Sequence, residues 1–419
     1  MEWELARDLG EKGAIVFSDV EHVILKNDRS LSEVFKLFDV IHILTTDHKT
    51  VTRITKEVIE DFAADNVVYL ELRTTPKRND SKGMSKRSYI EAVLEGIRSV
   101  NLVEVDLSHK LNMDTSAYAH AMNDVCDGTG SKKIYVRLLL SIDRRETAEA
   151  AMETVKLALE MRDLGVVGID LSGNPTVGEW LLPALEFARK QGLPITLHCG
   201  EVPNPDEIRA MLDFLPRRIG HACCFGDDES KLLKKLKIPV EICLTSNIRT
   251  ETIASVDVHH FADLYKSNHP LILCTDDAGV FSTSLSAEYM LASSTFGLGK
   301  TEMFQLAEKA IEFIFACDEV KRELKMIYTT ALISRRGIYG SKFVHSCSRV
   351  SLLIDGFGES KKLHMEGIVT LMSVDVKPSR SPSFTVAAQA GGGRYKDSKT
   401  AKPQYCTNGN NRVLLYYIM

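Results

Sequence analysis

Short apolar runs alternate with amphipathic segments from about residue 28 to residue 335. Apolar side chains recur at helical spacing over residues 51–62, and the continuous apolar run at 67–72 that follows predicts a strand. The same change of period predicts seven strands, near residues 67, 134, 166, 194, 217, 239 and 271, with helices between them. Strands that alternate with helices indicate parallel βαβ units.

The number of strands bears on the fold class, which we interpret as α/β and of the (β/α)8 barrel type. Such a barrel has eight parallel strands. We expect this chain to lack the first, because residues 4–10 read as the end of a helix that would follow it. An open, doubly wound sheet is the alternative, but no Gly-x-Gly-x-x-Gly follows any predicted strand. The barrel is favoured because reactive polar side chains end several different strands.

Two segments depart from the alternation. Residues 101–132 are polar, and we interpret them as a loop inserted within a domain that spans residues 1–335. Residues 336–419 show no sustained period, so we expect an irregular and largely disordered tail there.

Composition narrows the class of protein. Apolar content of 44% and charged content of 26% are those of a soluble globular protein. A net charge of −5 argues against a nucleic-acid polymer as partner, whereas small anions stay open. No apolar run approaches the roughly 20 residues of a membrane helix, and the start does not resemble a secretory signal. Nine cysteines without a Cys-x-x-Cys pair are typical of reduced thiols, so we expect a cytosolic protein. We also expect the protein to be a monomer.

Three predicted strands end in residues that suit a metal-assisted hydrolase. The first runs into His198 and Glu201, which suit a metal ligand and an acid catalyst. The second ends in His221, after a glycine that lets a ligand approach closely. The third ends in Asp276 and Asp277, adjacent carboxylates that repel each other unless a cation or hydrogen-bond donors compensate. The alternatives are hydrogen-bonded core imidazoles for the two histidines and a helix N-cap for the aspartates.

Other strand ends offer substrate contacts. Asp143, followed by two arginines, suits a substrate contact or a salt-bridge cluster. The segment Arg73-Thr74-Thr75-Pro76 offers a cation and hydroxyls to a phosphate, although a surface arginine is equally open. Gly173 lies in a tight turn, where the backbone could approach a flat base. The pair His259-His260 is interpreted as a helix start rather than a metal pair, because adjacent side chains point apart.

Taken together, these segments resemble the adenosine/AMP deaminase family of zinc hydrolases, over residues 4–335. The motifs that carry the resemblance are Leu-His-Cys-Gly-Glu at 197–201, Arg-Ile-Gly-His at 218–221, Cys-Leu-Thr-Ser-Asn at 243–247 and Thr-Asp-Asp at 275–277. Leu-Glu-Leu-Arg-Thr-Thr-Pro at 70–76 and Asp-Leu-Ser-Gly-Asn-Pro at 170–175 are similar to the branch that acts on N6-methyl-AMP. The resemblance implies hydrolysis of N6-methyl-AMP to IMP and methylamine, with adenosine deamination as the alternative.

The resemblance also implies a role for each matching residue. His198 and Asp276 would bind zinc, and Glu201 would donate a proton to the purine ring. His221 would position and deprotonate the attacking water, and Asp277 would hydrogen-bond the base. The nucleotide would be contacted by His42, Asp143, Gly173 and the segment Arg73, Thr74, Thr75 and Pro76.

One family feature does not occur in the sequence. The family carries two further zinc ligands as His-x-His on its first strand, and the twelve histidines of this chain include no pair two residues apart. With only His198 and Asp276 left, we expect weak zinc binding and little turnover, since zinc sites use three or more protein ligands. A nucleotide-binding relative without metal or activity is therefore the competing interpretation.

Overall fold

The computed structural model describes residues 30–45, 47–107 and 133–335, together with Glu11. The predicted helix end at 4–10 and the predicted tail at 336–419 lie outside the described residues. None of the helices in the described part of the chain is both long and apolar enough to cross a membrane.

The described strands form one parallel sheet. They are β1 Tyr69–Thr74, β2 Glu104–Asp106, β3 Lys133–Asp143, β4 Val166–Ser172, β5 Ile195–Cys199, β6 Arg218–His221, β7 Val240–Ile242 and β8 Leu271–Leu273. The sheet follows the order β1-β3-β4-β5-β6-β7-β8, and β2 branches off to pair with β3. All seven predicted strands are present, and their parallel pairing confirms the α/β fold class.

The sheet curls like a barrel but stays open on one side. β1 and β8 end the path of paired strands, and no described strand pairs with the outer edge of either. A cavity of about 1100 Å³ touches both strands along this opening. The prediction of a barrel-type sheet without its first strand is therefore confirmed for the described residues.

The segment predicted as a loop at 101–132 is partly a strand. Residues 104–106 form β2, in which Glu104 pairs with Lys133 and Asp106 pairs with Tyr135. A three-residue strand with charged residues at both ends gives no apolar run, so the pattern could not show it. Residues 108–132 lie outside the described part of the chain.

Helices follow most strands and pack their apolar faces against the sheet. They are α1 Leu31–Leu44, α2 His48–Ala64, α3 Lys86–Arg98, α4 Ala148–Glu160, α5 Leu182–Lys190, α6 Pro205–Phe214, α7 Asp227–Leu236, α8 Leu244–Arg249, α9 Phe261–Lys266, α10 Ala278–Phe281, α11 Leu285–Phe296, α12 Lys300–Ala310 and α13 Asp318–Arg335. Local sequence sets where several of them begin. Thr147 accepts a hydrogen bond from the backbone of α4, and Asn204 does so for α6, whose first residue is a proline.

Charged side chains meet inside the curled sheet. Arg73 of β1 pairs with Glu241 of β7, whose Oε1 also accepts from Arg218 Nε at 2.6 Å. Arg218 reaches back to Glu71 of β1, and Arg73 contacts Asp170 of β4 at 3.4 Å. Arg73, Asp170, Arg218 and Glu241 are each 5% exposed or less. These pairs join β1, at one end of the open sheet, to β4, β6 and β7.

The bottom of the interior is closed by the segment before α13. Phe315 is buried there, and the Arg218 guanidinium lies 3.7 Å from the centroid of its ring. A Cβ on Gly168 of β4 would lie 2.7 Å from the same ring, so the strand needs a glycine at this position. This end of the interior is therefore closed, and the carboxyl end of the strands is left for a site.

Glu241→Gln tests the buried charge layer. The substitution keeps the shape but leaves Arg73 and Arg218 without a shared carboxylate, and breaking a buried pair costs about 3–5 kcal/mol. We expect the free energy of unfolding in urea to fall by that amount. Lys231→Ala is the control, because Lys231 and its partner Asp228 are 76% and 85% exposed. Equal, small losses in the two variants would contradict the account.

Candidate active site

A cavity of about 690 Å³ lies where the carboxyl ends of the strands converge. It is lined by nine of the residues predicted from the sequence, namely His42, Thr75, Asp143, Gly173, His198, Glu201, His221, Asp276 and Asp277. Leu31, Val34, Phe35 and Phe38 of α1 add an apolar wall. One cavity therefore joins titratable groups to a surface that suits a flat ring.

Three residues of the predicted set do not line this cavity. Arg73 points into the sheet interior, where its guanidinium contacts Asp170 and Glu241. The Thr74 hydroxyl shares a 2.8 Å hydrogen bond with Tyr89 of α3 on the outside of the sheet. Pro76 lines the neighbouring cavity. Side chains alternate along a strand, so consecutive residues at the end of β1 face different parts of the molecule.

His198 presents a lone pair to the cavity. Its Nδ1 lies 2.7 Å from the Leu171 carbonyl oxygen and 3.2 Å from Asp170 Oδ1. A carbonyl only accepts, so Nδ1 carries a hydrogen, and in the neutral ring the lone pair is then on Nε2. Nε2 is buried and has no hydrogen-bond partner among the described residues. This is the second-sphere arrangement that orients a histidine toward a metal ion.

Asp276 is the second donor that fits a metal ion. Its backbone is left-handed, with a φ of 58°, which is uncommon outside glycine. Burial raises its pKa to about 7, against the opposing effect of hydrogen bonds from the Ser246 hydroxyl and the Asp277 amide. A carboxylate at which burial opposes the negative charge gains from a nearby cation.

Three potential metal donors lie close together. The donor atoms of His221, Cys243 and Asp276 are within 4.8 Å of one another. Cys243 does not line the main cavity. A hydrogen bond with Cys274, and then burial, raise the pKa of its thiol well above the usual range. Because a thiol binds metal as the thiolate, a raised thiol pKa disfavours Cys243 as a metal donor and leaves His198 and Asp276 as the predicted ones. Two donors are fewer than the three or more of a protein zinc site.

Glu201 and His221 suit proton transfer. Burial raises the pKa of Glu201, which favours the protonated acid. Burial lowers the pKa of His221 well below its usual range, so the imidazole is neutral. His221 Nε2 lies 3.7 Å from Glu201 Oε1 and is otherwise without a partner among the described residues.

The far end of the cavity is basic. Arg145 lines it together with Asp143, and their closest atoms are 2.7 Å apart. Beyond them lies a second cavity of about 1070 Å³, which Lys77 also lines. Lys77 Nζ donates to Thr45 Oγ1 at 2.8 Å, and burial lowers its pKa to about 7. An anionic group at this end would meet two cationic side chains.

Several residues of the site were not assigned a role from the sequence. Asp170, Ser246 and Asn247 lie in motifs that carried the resemblance, and Lys77 follows the 70–76 motif directly. A carboxylate within the fully buried β4 was the available signal for Asp170. His260 is the N-cap of α9, as the interpretation of the His259-His260 pair as a helix start predicts. The reason given for it was wrong, because the two rings do not point apart but stack with their centroids 4.3 Å apart.

Comparison with known proteins decides the family. A family model described as adenosine deaminase matches residues 14–329. This chain belongs to the adenosine deaminase family. Relatives include an N6-mAMP deaminase of Arabidopsis thaliana, 69% identical over 78% of this chain and 91% of the relative. An N6-methyl-AMP deaminase of Homo sapiens is 41% identical over 71% of this chain and 79% of the relative.

The fold is shared with solved structures of that family. The crystal structure of Arabidopsis ADAL complexed with IMP superposes with a TM-score of 0.72 at 67% identity, covering 78% of this chain and 91% of that chain. The adenosine deaminase family consists of metal-dependent hydrolases, and the donors His198 and Asp276 are consistent with that chemistry.

Gly173→Ala tests the shape of this cavity. Gly173 has a φ of +97°, and an added Cβ would lie 2.7 Å from Asp143 Oδ1. We expect a loss of about 1 kcal/mol for the left-handed backbone and a further loss because the Asp143 carboxylate must move from its contact with Arg145, measured by urea unfolding. Gly192→Ala is the matched control, because Gly192 has a φ of +73° and no atom within 4 Å of an added Cβ. Equal losses would show that the backbone alone requires glycine at position 173.

Proposed function

We propose that this chain hydrolyses N6-methyl-AMP to IMP and methylamine. The observation that carries the proposal is the meeting of Glu201, His221 and Asp277 with the donors His198 and Asp276 in one cavity. The 69% identity to an Arabidopsis protein named N6-mAMP deaminase supports the choice of substrate.

The reaction replaces the C–N bond to methylamine with a C–O bond at the same purine carbon. Glu201 donates a proton to the ring nitrogen, and burial, which raises its pKa, favours the protonated form. Asp277, 1% exposed, accepts a hydrogen bond from the ring. His221 contacts the water that attacks the ring carbon.

Zinc is the metal that we assign to the site, one ion per chain. His198 and Asp276 would hold it. A bound zinc ion supplies a Lewis acid that makes water a nucleophile at neutral pH.

The basic end of the cavity supports a nucleotide rather than a nucleoside. Lys77 and Arg145 take the place that the sequence suggested for Arg73, whose guanidinium is held inside the sheet. Thr75 lines both cavities. A phosphate bound there would receive charge-assisted hydrogen bonds. His42 and Gly173 line the path between this end and the base.

A second candidate is a nucleotide-binding relative with little activity. The absence of any His-x-His pair from the sequence favours it, because only two metal-binding donors are then supplied.

A cytosolic monomer with a single catalytic domain over residues 1–335 completes the proposal. It is supported by the composition and by the alternating pattern up to that residue.

The test is IMP formation by the full chain with a molar excess of zinc. We expect a slow but measurable release of IMP and methylamine from N6-methyl-AMP. In Glu201→Gln the rate should fall by about 10²–10⁴-fold, the usual contribution of a general acid. Zinc bound per chain is measured in parallel by elemental analysis. No IMP above the Glu201→Gln background would contradict the proposal and support the second candidate, and faster turnover of adenosine would contradict the choice of substrate.

Lys77→Met tests the phosphate end. Loss of a charge-assisted hydrogen bond costs about 1.5–3 kcal/mol, so we expect KM for N6-methyl-AMP to rise about 10–100-fold with little change in kcat. In the unmodified chain, KM should rise as the pH increases above about 7, because Lys77 then loses the proton that the phosphate requires.

The control for this prediction is Lys82→Met, because Lys82 is exposed and lines neither cavity. It should leave KM unchanged. A KM that is the same in Lys77→Met and in the control would place the phosphate elsewhere.

A further inference from the structure

Four buried groups form a hydrogen-bonded chain that ends on His221. The Phe261 backbone amide lies 3.0 Å from His259 Nδ1. His259 Nε2 lies 3.2 Å from Asn247 Oδ1. Asn247 Nδ2 lies 3.0 Å from His221 Nδ1. His221, Asn247 and His259 are each 2% exposed, so solvent does not supply other partners.

The direction of every hydrogen bond in this chain follows from its first member. A backbone amide can only donate, so His259 Nδ1 accepts and carries no hydrogen. The single hydrogen of the neutral His259 ring is then on Nε2, which donates to Asn247 Oδ1. The amide nitrogen of Asn247 therefore faces His221, and His221 Nδ1 accepts from it.

We propose that this relay fixes His221 in the tautomer that carries its hydrogen on Nε2, so that His221 donates a hydrogen bond to the attacking oxygen. The second half of this statement rests on the proposed function, and the first half does not. His259 and Asn247 are positioning residues, because they act on the reaction through His221.

The two imidazoles of the cavity are consequently held in opposite tautomers. Their ring centroids are 5.4 Å apart. The Leu171 carbonyl places the hydrogen of His198 on Nδ1 and its lone pair on Nε2. The Phe261 amide, acting through the relay, does the reverse for His221. One ring therefore offers an electron pair that suits a metal ion, and the other offers an N–H that suits an oxygen.

The proposal divides the two roles expected of His221. The residue keeps the role of positioning the water, whereas the second role, accepting the proton, passes to a carboxylate. In that step the O–H bond of the water breaks, its proton moves to a carboxylate that lines the cavity, and the oxygen bonds to the purine carbon. The C–N bond then breaks as methylamine leaves with that proton, and the hydrogen of the new ring hydroxyl returns to Glu201. The Nε2–H of His221 stabilises the negative charge that develops on the oxygen.

Nitrogen NMR of the full chain with 15N-labelled histidine tests the tautomer directly. The signals of His221 are assigned by their loss in His221→Gln. We expect Nδ1 to show the shift of a lone-pair nitrogen and Nε2 that of a protonated one. A hydrogen on Nδ1 of His221 in the unmodified chain would overturn the proposal.

Asn247→Asp changes the relay while keeping its shape. A carboxylate accepts on both sides, so His221 Nδ1 should gain a hydrogen in this variant. Asn204→Asp is the matched control. The Asn204 side chain accepts a hydrogen bond from the Glu207 amide at the start of α6, and a carboxylate can accept it equally well. The His221 signals should not move in this variant. If the 15N shift of His221 Nδ1 were the same in Asn247→Asp as in the unmodified chain, the proposed relay would also be wrong.

Titration with IMP tests the donor role. IMP carries on its ring the oxygen that the attacking water supplies, so the Nε2 proton of His221 should shift downfield when IMP binds. Binding itself is measured by calorimetry. Binding without a shift would overturn the donor role, and failure of IMP to bind would overturn the proposed function while the tautomer result still stands.

Discussion

The buried carboxylate Asp170 connects the fold to the site. It is fully buried, and it contacts Arg73 on one side and His198 Nδ1 on the other, while the Ser141 hydroxyl donates to it at 2.8 Å. Burial opposes its charge, but His198 and Arg73 outweigh burial and lower its pKa. Charges removed from water have to be paired, so the ion pairs that hold the curled sheet together also orient the imidazole that faces the cavity.

Fixed donors and acceptors set the chemistry of that cavity. A backbone carbonyl determines which nitrogen of His198 carries the hydrogen, and a backbone amide does so for His221 through the relay that we propose. Neither outcome depends on a mobile side chain. The strand ends thereby present a lone pair, a donor and an acid within one cavity, which suits hydrolytic deamination.

Sequence patterns predicted most of the residues that line the site and some of their roles. Residues at the strand ends gave eight of the nine predicted cavity residues, because parallel strands bring their carboxyl ends to the same edge. His42, on α1, was expected from the family resemblance alone. The sequence could not predict that the Arg73 side chain points into the sheet interior, because this depends on how the sheet curls. The pairing of His259 with Asn247 and His221 was also hidden, because three separate segments meet there. The short strand β2 left no apolar signal.

The central claim is that one cavity binds a purine nucleotide with its base beside the acid and its phosphate at the basic end. A crystal structure of the full chain with IMP tests it most directly. The account predicts the ring within hydrogen-bond distance of Glu201 and Asp277, and the phosphate in contact with Lys77 and Arg145. A nucleotide bound with its phosphate near Asp276, or outside this cavity, would contradict it.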